Sequence, residues 1–386
     1  MSAHDTAGVL GGCPPRRFLA RHWQKTPLVV RAALPGFTGL LSPAQLFELA
    51  CREDAQCRLV VRRGRRWKAH QGPFQRAFLR RLPARGWTLL VHEVERFLPE
   101  GRALLERFSF VPYARLDDLM VSYAPPGGGV GPHCDSYDVF LLQGRGRRRW
   151  RVSHQRDNAL VDGAPLRLLR DFRPQQEWVL EPGDMLYLPP GWAHDGVALE
   201  PCMTYSIGFR APVWRELAIH FLRFLEDQVE IEGMYRDPEL RPQNTPARIG
   251  RGMVRKVAQQ LATIRWSAPQ VARFLGQYLT EPKAHVFFTA RRGLSLAAFA
   301  ERIRRNGVCL DLCSQMLYVG DLFFINGEAV QVKGRARESL SHLADTRRLN
   351  AVDTTQRGLV ALLHEWYGAG YLGLRARPRP TKSSAP

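Results

Sequence analysis

The sequence lacks three features: a disulfide framework, a signal peptide and a long uncharged apolar run. Its seven cysteines are odd in number, irregularly spaced and without a CxxC pair, which excludes a small disulfide-bonded secreted domain. Residues 1–23 contain no apolar core of a signal peptide, and no stretch approaches the roughly 18 apolar residues that span a membrane. We therefore expect a soluble, cytoplasmic protein that does not act at a membrane.

Lysine and acidic residues are scarce compared with arginine. Lys and Arg together number 56 and Asp and Glu 36, which gives a net charge of +20, and arginine supplies nearly all of the positive charge. Such a charge favours a polyanionic partner, ribosomal RNA or an assembling ribosome, although an arginine-rich genome produces the same composition. The 386 residues, 45% of them hydrophobic, exclude a mostly disordered chain and predict two or three domains.

The pattern of apolar residues changes twice along the chain. Residues 1–212 contain short apolar runs broken by Gly, Pro and Asp, which predict an antiparallel, strand-rich domain. Residues 213–280 instead place apolar residues at helical spacing and predict three amphipathic helices. Their apolar stripes exceed what the edge of a barrel buries, so we expect a homodimer, with packing on the chain's own barrel as the alternative.

Residues 281–374 carry a third pattern, in which helices surround one small hairpin. The first helix is expected to begin after an N-cap at Ser295 and to end at Gly307. The dipeptide Asn326-Gly327 between two β-prone runs predicts the hairpin. Together these elements predict a winged-helix-like domain.

Two more helices are expected in the same domain, near residues 335–346 and 354–367. The second of them follows Asp353, which we predict to be its N-cap. Residues 375–386 have the composition of a disordered tail.

His133 and Asp135 lie two residues apart in the segment GGGVGPHCD. In a β-strand this spacing directs both side chains to the same face, where both can hold one metal ion. The later segment GDMLYLPPGWAH predicts a strand, a Pro-Gly turn and a returning strand that presents His194 as a third ligand. Two imidazoles and one carboxylate form the facial triad of non-haem Fe(II), which leaves positions open for O₂ and a cosubstrate. Either motif alone is typical of a solvated turn; together they predict a metal site.

This spacing resembles the two halves of the cupin metal motif, with Asp135 in the place of the second histidine of many cupins. That substitution resembles the Jumonji-C (JmjC) oxygenases. The sequence departs from small-molecule cupins at two points: no Glu follows Asp135 at the usual interval, although Asp138 is near, and Ala198 stands in place of the trailing Asn. Both departures favour the JmjC branch.

Residues 147–152 follow a predicted hairpin turn at 143–146 and alternate in character. Arg148, Trp150 and Val152 share the face that we expect to be buried. An unpaired guanidinium there would be very costly, so Arg148 needs an anionic partner, and its planar fork suits the distal carboxylate of 2-oxoglutarate. An internal salt bridge is the alternative. The opposite face, which we expect to be solvated or to contact RNA, carries Arg147, Arg149 and Arg151.

The segment DDLMVSY lies just upstream of the metal motif and predicts a strand with Asp118, Met120 and Ser122 on one face. Tyr137 would lie on the metal-facing side if the strand of Asp135 continues. Ordinary barrel core is an alternative for Met120 and Tyr137, and a cap or a surface acid is an alternative for Asp118.

Three strings together resemble the bacterial ribosomal oxygenases: DDLMVSYAPPGGGVGPHCDSYDVFLLQGRGRRRWRV, LEPGDMLYLPPGWAHDGVAL and MTYSIGFRAP. These JmjC enzymes hydroxylate an arginine of the sixteenth large-subunit ribosomal protein. The resemblance is dense over residues 108–214. The order of oxygenase domain, helical dimerisation segment and C-terminal winged helix extends it over nearly the whole chain.

The resemblance implies a mixed α+β fold whose oxygenase domain is a double-stranded β-helix of the cupin or jelly-roll type. It implies 3-hydroxylation of the target arginine, with Fe(II), 2-oxoglutarate and O₂ taking part. The implied iron ligands are His133, Asp135 and His194, with no catalytic residues beyond them. The implied contacts of 2-oxoglutarate are Ser122 and Arg148. The implied pocket for the target arginine consists of Asp118, Met120, Tyr137 and Ser206.

Two other functions are compatible with the sequence. One is a JmjC oxygenase that acts on another basic protein or on RNA. The other is a non-catalytic cupin-fold factor that binds RNA or the ribosome and carries a structural metal. A structural site would be four-coordinate and rich in Cys or His, whereas this one offers three mixed ligands and a buried arginine, so we favour the enzyme.

Overall fold

The computed structural model describes residues 8–64, 66–291, 293–350 and 352–375. The chain divides into two compact units between Ala211 and Pro212, one residue before the predicted boundary. Apart from its first residue, the predicted tail at 375–386 lies outside the described ranges. Within those ranges, no helix has the length and apolar character needed to cross a membrane.

The first unit contains two antiparallel sheets, with helices packed on the larger one. Its strands are β1 (Leu28–Val30), β2 (Cys57–Arg63), β3 (Arg66–Gln71), β4 (Trp87–Val91), β5 (Leu116–Ala124), β6 (His133–Cys134), β7 (Val139–Arg145), β8 (Arg148–Ser153), β9 (Gln176–Leu180), β10 (Met185–Leu188), β11 (Ala193–Ala198) and β12 (Cys202–Phe209). Its helices are α1 (Pro15–Arg21), α2 (Pro43–Ala50), α3 (Arg76–Arg80) and α4 (Pro99–Glu106).

From β5 to β12, consecutive strands alternate between the two sheets, except that β8 and β9 pair within the smaller one. The larger sheet has the order β1-β10-β7-β12-β5-β4-β2-β3 and the smaller sheet the order β6-β11-β8-β9. The turn at Gly146 therefore carries the chain from β7 in one sheet to β8 in the other, and the predicted hairpin at 143–146 is wrong. The turn at Gly191 crosses between the sheets in the same way, from β10 to β11. This crossing pattern is that of a double-stranded β-helix.

Both faces of the larger sheet are covered, which explains why β7 and β12 are buried along nearly their whole length. Phe140 and Leu142 on β7 pack with helix residues such as Phe18 and Leu46 in the main core. Leu141, on the opposite face of β7, packs with residues of the smaller sheet in a second core between the sheets. The interior between the sheets is where the predicted site residues must lie.

The second unit begins with helices and ends with a mixed module. Its helices are α5 (Trp214–Glu226), α6 (Arg251–Leu261), α7 (Ala268–Thr280), α8 (Leu296–Asn306), α9 (Arg335–Thr346) and α10 (Arg357–Ala369). Its strands are β13 (Val308–Leu310), β14 (Met316–Val319), β15 (Leu322–Ile325), β16 (Glu328–Gln331), β17 (Arg348–Leu349) and β18 (Leu372–Leu374). The three helices predicted within 213–280 are therefore confirmed.

The predicted helix cap, helix end and hairpin turn of this unit are confirmed, and one predicted cap is wrong. Ser295 caps α8 by accepting a hydrogen bond from the backbone N–H of Ala298, and Gly307 ends the helix at a φ of 72°. The hairpin of β15 and β16 turns at Asn326-Gly327, as predicted. The predicted Asp353 cap is wrong, because α10 begins four residues later and the Asp353 carboxylate accepts hydrogen bonds from the backbone N–H and the hydroxyl of Thr355.

The helices of residues 213–280 differ in what they bury. α6 buries none of its residues, and α5 buries only Leu225. α7 instead packs on β15, where Gly276 lies against the ring of Phe324. α7 therefore shares contacts with the strands of the C-terminal module, across the predicted boundary at 280.

Candidate metal centre

His133, Asp135 and His194 come together at one end of the interior between the two sheets. One ligand atom from each of the three lies within 4.8 Å of the others. The Asp135 carboxylate is 3.8 Å from His133 Nε2 and 3.6 Å from His194 Nε2. The two imidazole ring centroids are 4.2 Å apart. The two halves of the motif thus form one cluster.

Strand pairing produces this cluster. β6 and β11 are antiparallel neighbours, and His133 lies directly opposite His194 in their register. β6 is only two residues long, so Asp135 lies beyond its end and the same-face argument does not apply to it. The backbone carbonyl of Asp135 instead accepts a hydrogen bond from the N–H of Gly191, at a distance of 2.8 Å. Asp135 is therefore held by the predicted Pro-Gly turn.

Backbone carbonyls orient both imidazoles. His133 Nδ1 donates to the carbonyl of Gly131 at 2.8 Å, and His194 Nδ1 donates to that of Trp192 at 2.9 Å. With the proton on Nδ1, each Nε2 keeps its lone pair, and both lone pairs face the Asp135 carboxylate. Such a second contact is the usual way in which a protein orients a metal-binding histidine.

The ligand atoms of His133, Asp135 and His194 are electron-pair donors that face one another, an arrangement that suits a bound cation. The N···O distances within the cluster exceed those of ordinary hydrogen bonds, so the groups do not satisfy one another. Burial and the neighbouring His133 lower the pKa of His194 to about 4, which keeps that imidazole neutral at physiological pH. A neutral imidazole is the form that binds a metal ion. The donor set suits Fe(II) with open coordination positions.

Arg148 carries a guanidinium into the interior between the sheets. β8 alternates as predicted, with Arg148, Trp150 and Val152 buried. Arg148 Nη1 donates to the hydroxyl of Ser122 at 3.5 Å, whereas its buried Nε and Nη2 have no hydrogen-bond partner among the described residues. No carboxylate in the described ranges forms a salt bridge with it. A buried cation with free donors requires an anion, so the geometry disfavours the alternative of an internal salt bridge.

The arginines on the other face of β8 are paired with acids. Arg151 Nη2 is 2.5 Å from the carboxylate of Asp195, and Arg147 Nη2 is 3.3 Å from that of Glu200. Arg149 Nε lies 4.0 Å from Glu177. All three arginines lie on the solvent-accessible face, as expected, and an acid lies beside each of them. Their contact with RNA stays a prediction.

The predicted substrate residues of β5 and β12 share one face of the larger sheet. Ser206 lies directly opposite Met120 in the register of the two strands, which directs both side chains the same way. Asp118 lies further along that face of β5, and its carboxylate is 3.2 Å from the position that a Cβ on Gly208 would occupy. Gly208 thus leaves room for the Asp118 carboxylate.

Tyr137 lies in a bend after β6, so the strand does not continue through it and the predicted alternation does not apply. Its side chain is 39% exposed. Partial burial, with the carboxylates of Asp135 and Asp118, raises the pKa of its hydroxyl, which stays protonated. Tyr137 therefore lies near both the predicted metal ligands and the predicted substrate residues, by way of a loop and not a strand.

Two groups of residues around the site were not predicted. His92 Nδ1 and the backbone N–H of Glu93 each lie 3.3 Å from Asp118 Oδ2 and hold that carboxylate in place. Beside Ser122, the hydroxyl of Thr204 donates to the Gln143 side chain at 3.0 Å. The sequence pattern that could have identified His92 and Gln143 is a polar residue at the end of an apolar run, as in WTLLVHE and VFLLQ.

Comparison with known families defines the class of protein. Residues 103–217 match the JmjC domain, and residues 263–373 match the ROXA-like winged helix. A double-stranded β-helix, a cluster of two histidines and one aspartate, and a buried arginine with free donors are the features of this class. The fold and the site define a JmjC-type, 2-oxoglutarate-dependent oxygenase.

The chain is 34% identical over 345 residues to ribosomal protein uL16 3-hydroxylase of Escherichia coli (strain K12), and the match covers 86% of this chain and 89% of that protein. It therefore belongs to the ribosomal oxygenase family. A probable ribosomal oxygenase of Haemophilus influenzae is 43% identical over 203 residues, covering 51% of this chain and 50% of that protein. The structure of Escherichia coli YcfD in complex with cobalt and 2-oxoglutarate matches with a TM-score of 0.80 and 32% identity, covering 94% and 98% of the two chains.

These findings confirm the predicted family resemblance and the mixed α+β fold class with a cupin-type domain and a winged helix. They also confirm the predicted enzyme class, a 2-oxoglutarate-dependent dioxygenase. The predicted cofactor, Fe(II), and the predicted cosubstrates, 2-oxoglutarate and O₂, agree with that class. The roles of the individual site residues stay predictions.

Proposed function

We propose that this protein is an Fe(II)- and 2-oxoglutarate-dependent hydroxylase that 3-hydroxylates an arginine of the ribosomal protein uL16. The observation that carries the proposal is one interior that holds both the cluster of His133, Asp135 and His194 and the unpartnered guanidinium of Arg148. The name of the Escherichia coli relative supports the substrate.

In this proposal His133, Asp135 and His194 hold the iron. When bound, Fe(II) supplies the activation of O₂ that couples oxidative decarboxylation of 2-oxoglutarate to hydroxylation of the substrate. The Nε2 lone pairs of both histidines stay available for the ion, because each Nδ1 proton is donated to a backbone carbonyl, that of Gly131 or Trp192. The low pKa of His194 means that no proton competes for its Nε2 at neutral pH.

Arg148 and Ser122 bind the distal carboxylate of 2-oxoglutarate. The guanidinium has two donors without a partner among the described residues, which match the two oxygens of one carboxylate. The Ser122 hydroxyl, 3.5 Å from Nη1, adds a further donor on the same side. Since Trp150 and Val152 flank Arg148 on the buried face of β8, water is excluded and the charge-assisted bonds are strong.

The target arginine binds in a pocket formed by Asp118, Met120, Tyr137 and Ser206. The Asp118 carboxylate, held in place by His92, pairs with the guanidinium. Tyr137 and Met120 pack on its alkyl stem and its planar face, and the Ser206 hydroxyl bonds at its end. Because Tyr137 lies near Asp135, this arrangement brings the side chain of the substrate next to the iron.

Three further expectations belong to this proposal. Residues 213–280 form a homodimer, supported by the apolar surface that α5 and α6 expose. The protein acts in the cytoplasm, supported by the absence of a disulfide bond among the seven cysteines, all of which lie in the described ranges. Ribosomal RNA is a partner, supported by the net charge of +20.

A direct test combines the purified protein with Fe(II), 2-oxoglutarate and recombinant uL16. Mass spectrometry should show the gain of one oxygen on one arginine of uL16, together with succinate. His194→Ala should abolish both products and should also lose binding of Co(II), measured by titration, while circular dichroism stays unchanged. If this variant keeps near-normal decarboxylation, the assignment of the ligands is wrong.

The substrate pocket is tested by Asp118→Asn. We expect arginine hydroxylation to fall by about tenfold or more, because the amide cannot pair with a guanidinium charge, while uncoupled decarboxylation of 2-oxoglutarate persists. A uL16 in which lysine replaces the target arginine should react roughly 10² times more slowly, since a compact ammonium leaves pocket acceptors unpaired. Asp117→Asn is the matched control, because Asp117 precedes Asp118 on the opposite face of β5 and pairs with Arg210.

The results also separate the alternative functions. Turnover of 2-oxoglutarate that another basic protein or RNA stimulates, but uL16 does not, would favour a JmjC oxygenase with a different substrate. An intact metal site without any turnover would favour a non-catalytic factor that binds RNA or the ribosome. Equal reaction of arginine and lysine substrates would contradict the arginine pocket alone.

A further inference from the structure

A cavity of about 580 Å³ lies on the outer side of the smaller sheet, away from the interior that holds the metal ligands. Arg151 and Asp195, which face outward from β8 and β11, form part of its wall. The loop of residues 161–172 forms a second wall, and the β2–β3 hairpin forms a third. The cavity therefore lies within the first unit.

The cavity is cationic. Its lining has four basic side chains, from Arg62, Arg66, Lys68 and Arg151, and two acidic ones, from Asp162 and Asp195. The two acids are already paired, Asp195 with Arg151 at 2.5 Å and Asp162 with Arg170 at 3.1 Å.

The three basic hairpin residues that line the cavity have no such partner. Arg62, Arg66 and Lys68 are exposed, and none of them forms a salt bridge with a carboxylate in the part of the chain that the structure describes. The hairpin segment 57–71 carries five arginines and one lysine and no acidic residue. The positive charge of Arg62, Arg66 and Lys68 therefore lines the cavity without a counter-ion among the described residues.

Two aromatic rings lie among these charges. The Arg62 guanidinium is 5.3 Å from the centroid of the Trp67 ring, and that of Arg151 is 5.8 Å from the centroid of Phe172. Both rings are only partly buried, so each leaves part of its surface open to a ligand. Planar aromatic surfaces beside cations are what single-stranded nucleic acids use, through base stacking and phosphate contacts.

Gly131 allows two residues of the cavity wall, Trp67 and Leu168, to pack together. A Cβ on Gly131 would lie 2.5 Å from Leu168 and 3.0 Å from the Trp67 ring, so only glycine lets these two side chains close over the backbone. The same Gly131 has a φ of 81° and gives its carbonyl to His133. The cavity thus adjoins the outer side of the segment that holds the predicted metal site.

We propose that this cavity binds a short segment of single-stranded RNA, with a base stacked on Trp67 or Phe172 and phosphates on Arg62, Arg66 and Lys68. An acidic protein segment would use the cations but would leave both aromatic rings without a matching partner. RNA bound here would also neutralise part of the net charge of +20 that repels a free, basic substrate.

The test is fluorescence anisotropy with a labelled single-stranded RNA of about 12 nucleotides and the full-length protein, without iron, 2-oxoglutarate or peptide. Failure of the proposed enzymatic activity therefore cannot affect the result. Arg66→Glu combined with Lys68→Glu should weaken binding by about tenfold or more, and should reduce the slope of log affinity against log salt by about 1.4 for two lost phosphate contacts. Trp67→Leu should weaken binding about fivefold or more without changing that slope.

Arg16→Glu combined with Arg17→Glu is the matched control. This pair on α1 is exposed, belongs to the same unit and removes the same charge, and it should change affinity by less than about twofold. If Trp67→Leu lowers the melting temperature strongly, Phe172→Leu on the outer loop replaces it. Equal losses in the pocket and control variants would overturn the proposal. A poly-aspartate peptide of equal charge that binds as tightly as the RNA would overturn it as well.

Discussion

Arg148 is the residue whose environment most directly implies a ligand. Its guanidinium is buried and has two donors without a partner among the described residues. A charge-assisted, desolvated pair of this kind is worth about 2 to 4 kcal/mol. We therefore expect Arg148→Ala to raise the KM for 2-oxoglutarate by roughly 10², measured as succinate formed at increasing 2-oxoglutarate.

The neighbouring arginines provide the controls for that measurement. Arg147→Ala and Arg149→Ala each remove one positive charge next to Arg148. Both of these side chains lie on the outer face, Arg147 beside Glu200 and Arg149 beside Glu177. Exposed ion pairs contribute little, so both variants should stay within about twofold of the wild type. Similar increases in KM at all three positions would mean that charge near the barrel, and not a specific contact, determines the affinity.

Glu95 is a buried carboxyl group behind the proposed substrate pocket. It accepts a hydrogen bond from the backbone N–H of Leu119 at 3.0 Å and lies 3.8 Å from Arg102. Burial raises its pKa to about 7, against the partial compensation of Arg102. The pKa of Glu95 is higher in the folded protein than its unfolded value of 4.5. The contribution of Glu95 to the stability of the folded state is therefore present below pH 4.5 and is lost as the pH rises through 7.

Glu95→Gln should remove this dependence on pH. The amide resembles the protonated acid, so the variant and the wild type should have similar free energies of unfolding at pH 5. At pH 8 the variant should be more stable, by up to about 3 kcal/mol, because the wild type must ionise a buried group. Urea unfolding at both pH values measures the difference. Glu100→Gln, at an exposed position of α4, should show no such change between the two pH values.

At the scale of elements, the packing of α7 on β15 depends on one glycine. A Cβ at Gly276 would lie 2.2 Å from the ring of Phe324, which is fully buried and has no room to move. Gly276→Ala should therefore destabilise the second unit by about 1 to 3 kcal/mol, even though alanine favours helices. Thermal unfolding followed by circular dichroism measures this effect.

Gly358→Ala is the matched control for that experiment. Gly358 is also helical, in α10, and nothing lies within 4 Å of a Cβ added there. The same substitution should be neutral or should stabilise by up to about 1 kcal/mol, through helix propensity alone. If both variants changed the melting temperature equally, close packing of α7 on β15 would not be the reason for glycine at position 276.

At the scale of the whole molecule, the second unit exposes many large apolar side chains. Large side chains along α5, α6 and the segment between them are open to solvent. The most exposed of them are Trp214, Leu222, Met234, Leu240, Ile249, Val254 and Leu261. Large exposed apolar side chains often belong to a protein interface, which is the basis of the proposed homodimer.

Leu222→Asp combined with Val254→Asp should therefore convert the proposed dimer into a monomer. The charges would be buried without a partner in the interface, whereas they would be solvated in the monomer. Light scattering at micromolar concentration measures the mass. Val319→Asp is the control, because Val319 on β14 is 57% exposed, as Val254 is, but lies outside the helices of 213–280. A wild-type protein that is monomeric under these conditions would contradict the proposal.

Much of this architecture could be predicted because the signals are local. The alternation of β8 identified Arg148 as an inward residue, since successive side chains of a strand point to opposite faces. Ser295, Gly307 and Asn326-Gly327 marked a helix start, a helix end and a hairpin through their own backbone preferences. The Asp353 cap failed although its residue type was right, because Thr355 took the hydrogen bonds of that carboxylate.

The sequence by itself determined the composition, the period of each element and the residue types of the site. Only the tertiary structure decided that the turns at Gly146 and Gly191 lead from one sheet to the other, because strand pairing depends on contacts between distant segments. The same long-range pairing places His133 opposite His194, brings Tyr137 to the site through a loop, and positions Asp118 through His92. A spacing can indicate which side chains share a face, but the distances between faces are set by the packing of the whole chain.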